Sequence, residues 1–162
     1  MATVHQPLGE QPGRIMTSTV LGVTMRVAGA VRTEVHAYAI GTGEQQVTAR
    51  LGDVLVYVSD PTVADRVRAH WDSAILAAHK LPSRVSQTWL NPKPGTYPLT
   101  VAARLVGPVD LAAAYVPADR TTHTPAHLRM RVNQLVWQVC DRDSWRALSD
   151  AWFQIHRDLT GQ

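Results

Sequence analysis

The sequence predicts an α+β fold of two diverged β-β-β(-β)-α repeats, packed as one pseudo-two-fold domain with antiparallel sheets and one helix each. Three observations predict it. Extended, Val-rich stretches come in groups of three. A capped amphipathic helix closes each group. Residues of the second half match those of the first at an offset of about 81.

Residues 17–40 are rich in Val, Thr and Ala and lack a helical period. Gly29 divides them into two strands with a turn at 28–30. Gly41-Thr42-Gly43 is the next turn. Residues 46–58 are a third extended stretch, in which Val54, Val56 and Val58 alternate with Leu55 and Tyr57. Asp60-Pro61 then opens a helix, because Asp accepts from free N–H groups at a helix start and Pro suits the first helical position. Val63, Val67, His70, Trp71, Ala74 and Ala78 share its apolar face, and Leu81-Pro82 ends it.

The second half repeats this order. Residues 83–96, with Pro92, Pro94 and Gly95, read as a linker. Strands follow at 99–106 and 109–116 around Gly107-Pro108. A polar loop spans 117–125, and a third extended stretch spans 128–139. Asp141 caps a last helix, with Leu148, Ala151, Trp152, Ile155 and Leu159 on its apolar face. At an offset of 81, Arg50 falls on Arg131, Asp60 on Asp141 and Trp71 on Trp152; at 78, Arg26 falls on Arg104. Cap, strand face, helix face and Trp position all agree. One such unit is too small to hold a good core alone, so two must pack together, with each Trp anchoring its helix on its own sheet. The expected division is a tail at 1–16, a first repeat at 17–82, the linker at 83–96 and a second repeat at 97–162.

Composition excludes several classes. The chain has 162 residues, 45% of them hydrophobic and 18% charged, which is globular rather than disordered. No apolar run is long enough to span a membrane, so no membrane partner is expected, and residues 1–14 do not read as a signal peptide. The single cysteine, Cys140, rules out an internal disulfide and suits a cytoplasmic setting. The net charge of +3 comes from arginine more than lysine. It is compatible with an acidic partner and equally with a solvated basic surface.

No phosphate-binding loop, dinucleotide fingerprint or nucleophile elbow is present. His123 and His127 lie four apart, but Pro125 puts them in a loop, so neither a metal nor any other cofactor is expected. Cys140 at a helix start could be activated, although it reads as a small packed residue. Asp60 and Asp141 read as caps, and His36 and His70 as packed or surface residues. No catalytic residue is assigned and the chain is read as non-enzymatic. The remaining signal is arginine with aromatics on strands, where Arg groups contact phosphates and rings stack on bases. Arg26, Arg50, Arg104, Arg131, Arg129 and Tyr57 are the candidate nucleic-acid-binding residues, with Tyr38, Trp89, Tyr97 and Tyr115 near them in sequence. The competing reading makes these arginines solvent-side strand residues and the tyrosines part of the core.

This order of elements resembles that of the Whirly and PUR-repeat proteins, which bind single-stranded DNA or RNA. It is also similar to that of the actinobacterial SsgA-like division proteins, which act through protein partners. The resemblance is one of element order from about residue 17 onward. Those families usually carry four strands per repeat, and a break at Gly52-Asp53 would supply the fourth. The leading expectation is a module for single-stranded nucleic acid. The alternative is a protein-interaction or scaffold module, and a homo-oligomer is expected under it. A small enzyme or ligand-binding protein with its site between the repeats is the weakest reading, because no acid, base or nucleophile clusters.

Overall fold

The computed structural model describes residues 21–86, 90 and 99–161. The expected tail at 1–16, most of the linker, Trp89 and Tyr97 lie outside the described residues. Four strands and a helix occur twice. The first set is β1 (Val23–Val27), β2 (Thr33–Tyr38), β3 (Gln46–Leu51), β4 (Val54–Val58) and α1 (Pro61–Ser73), followed by a short α2 (Ile75–Ala78). The second is β5 (Val101–Leu105), β6 (Leu111–Val116), β7 (His127–Val132), β8 (Leu135–Val139) and α3 (Arg142–Thr160).

The third extended stretch of each half is therefore two strands, and the optional fourth strand is present in both. Gly52 (φ 68°) and Asn133 (φ 54°) start the two tight turns at equivalent places. Glycine takes the left-handed region freely, and Asn is among the residues that tolerate it. The first helix is shorter than expected. It stops at Ser73, where Ala74 N–H bonds the Trp71 carbonyl three residues back (3.2 Å) and tightens the last turn.

The sheets are built from both halves. Their strand orders are β1-β8-β7-β6 and β2-β3-β4-β5. Each half thus contributes its last three strands to one sheet and its first strand to the other. The exchanged strands pair parallel, β1 with β8 and β5 with β4; all other pairings are antiparallel. The registers are equivalent: Val23 lies opposite Leu135 as Val101 lies opposite Val54.

Alternation places Val47, Ala49, Leu51, Val54, Val56 and Val58 of one sheet in the core, with Leu128, Met130, Val132, Leu135, Trp137 and Val139 of the other. Each of the Val, Leu and Met side chains among them contributes about 1.5–3 kcal/mol of burial. The helices pack on each other and cross over. α1 contacts β6, and its Trp71 meets Trp137 of β8 edge-to-face with centroids 6.0 Å apart. α3 contacts β2 and β3. The expectation that each Trp anchors its helix on its own half's sheet is corrected for Trp71. Both Trp71 and Trp152 are fully buried, but Trp71 faces the sheet formed mainly by the other half. Exchanged strands and crossed helices interlock the two halves.

Candidate nucleic-acid interface

Residues directly opposite across a sheet share a face. In the β1-β8-β7-β6 sheet one row runs Arg26, Gln138, Arg129, Ala114, and the next runs Thr24, Val136, Arg131, Ala112. Both rows lie on the outer face, since the alternate residues fill the core. Strand exchange therefore brings Arg26 from the first half beside Arg129 and Arg131 from the second.

These three arginines differ in how firmly they are held. Arg26 Nε donates to Gln138 Oε1 of the neighbouring strand at 3.0 Å. Arg131 pairs with Asp110 at 2.8 Å at the turn that precedes β6. Arg129 is exposed and makes no hydrogen bond or ion pair among the described residues. The strand residues in these two rows include no carboxylate. A concavity of about 380 Å³ lies between Thr24, Gln134, Arg129 and Arg131, and a second of about 250 Å³ lies between Arg129, Arg131 and Ala112–Ala114.

The outer face of the β2-β3-β4-β5 sheet holds the other candidates. Its rows run His36, Thr48, Tyr57, Arg104 and Glu34, Arg50, Leu55, Ala102. Arg104 lies beside Tyr57, and the two line a shallow concavity of about 240 Å³. Here the charge is partly cancelled. Glu34 accepts from Arg32 and lies 4.0 Å from Arg50. The bond from Arg32 holds the Glu34 carboxyl below the usual range, so Glu34 stays ionised against its arginines. Six predicted residues thus fall three and three on two outer faces: Arg26, Arg129 and Arg131 on one, and Arg50, Tyr57 and Arg104 on the other.

The other candidates take structural places. Cys140 is buried and burial pushes its thiol up to about 11, so it is no thiolate near neutral pH. His127 is not in a loop: it begins β7, is buried, and turns Nδ1 to the Pro125 carbonyl at 3.0 Å. His123 is exposed at a left-handed position in the preceding turn. Among the described residues no three His, Cys, Asp or Glu side chains cluster to hold a metal. Asp60 and Asp141 both cap, accepting from Thr62 N (2.8 Å) and Ser144 N (2.9 Å). Among the described residues no helix is long and apolar enough to cross a membrane.

Sequence reasoning missed Gln138 and Thr24 as members of the arginine face. The alternation of β8 carried the signal for Gln138, since it sits one residue from Trp137 and Val139, which are core. The protein-family models, the curated proteins and the solved structures searched with this chain gave no match.

Proposed function

We propose that the chain is a non-enzymatic binding module that takes single-stranded nucleic acid on the outer face of its β1-β8-β7-β6 sheet. One observation carries this reading: Arg26, Arg129 and Arg131 converge there, with Arg129 free and no carboxylate in their rows. Guanidinium groups give phosphates charge-assisted, often bidentate, bonds. Gln138 and Thr24 add neutral polar groups for sugar or base edges. The second outer face supplies a ring, Tyr57, beside Arg104. The lone, buried Cys140 supports a cytoplasmic setting.

Fluorescence polarisation with a single-stranded oligonucleotide tests this. Binding is expected at low salt, with log K falling against log salt at a slope of about −2, from about 0.7 per phosphate contact over three arginines. The triple change Arg26→Ala, Arg129→Ala, Arg131→Ala should abolish it. No binding by the wild type at micromolar protein sinks the reading.

A second reading, a protein-interaction or scaffold module that forms homo-oligomers, is favoured by a different observation. The edge strand β6 is uncharged and rich in alanine, and its three alanines are exposed.

A further inference from the structure

The two sheets have four edge strands, β1 and β6 in one and β2 and β5 in the other. Natural sheets blunt such edges with charge, proline or bulges. Here β1 carries Arg26, β5 carries Arg104, and β2 carries Glu34 and His36. β6, Leu-Ala-Ala-Ala-Tyr-Val, carries none of these devices, and Ala112, Ala113 and Ala114 are exposed.

The direction of its free backbone groups is fixed by the turn before it. Asn133 N–H donates to the Asp110 carbonyl and Asp110 N–H to Asn133 Oδ1, both at 2.8 Å. Asp110 therefore turns its backbone toward β7, and by alternation so do Ala112, Ala114 and Val116. Leu111, Ala113 and Tyr115 turn their N–H and C=O groups outward. None of these outward groups has a partner among the described residues.

We infer that β6 is a self-pairing edge, and that its occupant is β6 of a second copy, antiparallel about a two-fold axis at Ala113. In that register Ala113 meets Ala113 of the second copy and Leu111 meets Tyr115. Each of these pairs exchanges both backbone bonds, so every outward group is used. Shifting the pairing by one step either way leaves some outward groups unmet. On the outer face Ala112 lies opposite Ala114 of the second copy, so small side chains meet and no like charges face each other. Beside the edge, His70 on α1 reaches the Ala112 carbonyl (3.2 Å) and Lys80 lies over the Tyr115 ring. Ile75 and Leu76, between these two contacts in the chain, are 43% and 76% exposed.

Pairing also changes the arginine face. The 250 Å³ concavity at Ala112–Ala114, Arg129 and Arg131 lies on this edge, and two-fold pairing joins it to its copy. The result is a trough floored by alanines and walled by Arg129 and Arg131 of both copies, about 14 Å from β7 to β7 across three strand spacings. That consequence rests on the nucleic-acid reading; the pairing itself does not.

Sedimentation of the full chain without nucleic acid tests the pairing. The wild type should sediment as a dimer of the 17.8 kDa chain. Ala113→Pro removes the donor at the axis and should give monomers with an unchanged circular dichroism spectrum. The double change Ala112→Lys, Ala114→Lys keeps every backbone donor but crowds like charges at the axis. It should raise the dimer dissociation constant about tenfold or more, and it decides the matter where the proline variant does not fold. A wild type that is monomeric at every concentration overturns the proposal. If its Leu111, Ala113 and Tyr115 amides are protected from exchange, the edge belongs to another segment of the same chain. An oligomer that both variants leave intact overturns it equally. A dimer that binds no oligonucleotide leaves the pairing standing and removes only the nucleic-acid reading.

Discussion

Asp60 and Asp141 hold the same place in the two halves, yet the junctions around them are built differently. Asp60 is exposed and accepts one hydrogen bond, from Thr62 N. Asp141 is fully buried and accepts from Ser144 N (2.9 Å), Ser144 Oγ (2.7 Å), Gly29 N (2.8 Å) and Val85 N (3.0 Å). Gly29 belongs to the β1–β2 turn and Val85 to the segment after α2. One carboxylate therefore fastens the first half and the connecting segment to the start of α3. That segment satisfies further groups: Arg142 N donates to the Pro82 carbonyl at 2.9 Å and Asp143 N to that of Ser83 at 3.3 Å. The first three N–H groups of α3 thus all have partners. The start of α1 relies on its proline and one cap. Equivalent positions became a surface cap in one half and an internal tie in the other, because only the second helix has a preceding half of the chain to hold.

The sharpest way to break this comparison is to remove both carboxylates in turn. Asp141→Ala strips a buried acceptor from three backbone N–H groups and a hydroxyl, and each bond to a charged group contributes about 1.5–3 kcal/mol. Not all of this adds, so a loss of about 3–5 kcal/mol is expected. Asp60→Ala removes one exposed cap and should cost about 1 kcal/mol. Urea melts of the two variants, at constant m-value, measure the difference. Equal losses would mean that Asp141 works only as a cap.

Much of this arrangement was legible from local pattern. Caps, strand alternation and the apolar helix faces all follow from short-range spacing, and the offset of 81 tied Asp60 to Asp141 before any geometry was known. What was not legible depends on partners distant in sequence. Strand alternation says which face of β1 is buried but not that β1 pairs with β8 across 112 positions of chain (Val23 to Leu135). The split at Asn133 was hidden because Asn-Gln is a weak turn signal, whereas its counterpart Gly52-Asp53 is a strong one. The arginine candidates were found by type and strand position. Their division into two faces followed only from the strand exchange.

The two outer faces give the next contrast. They carry the equivalent pairs Arg26 and Arg104, and Arg131 and Arg50, but the first has an arginine, Arg129, where the other has Thr48. Arg129→Ala should reduce the salt slope of oligonucleotide binding by about 0.7 and weaken binding about fivefold at 0.1 M salt, the share of one phosphate contact. Arg104→Ala should leave both unchanged if the β1-β8-β7-β6 face is the one used. The reverse outcome in polarisation titrations would move the interface to the face with Tyr57.

The smallest expected effect lies between the helices. His70 stands on α1 where α3 carries Ala151. Burial lowers its pKa from the ordinary 6.5, and the bond to the Ala112 carbonyl offsets this only in part. The folded state therefore binds fewer protons at this site than the unfolded chain when the pH falls to and below 6.5. By linkage, stability rises with pH through that window and is lost on acidification until the folded histidine also protonates. His70→Gln keeps a donor toward Ala112 and removes the titration, so its urea midpoint should vary less between pH 7 and 5 than the wild type's. The equivalent position of the second helix, Ala151, has nothing to titrate. If the wild-type and His70→Gln midpoints fall in parallel, the titrating group is elsewhere in the fold.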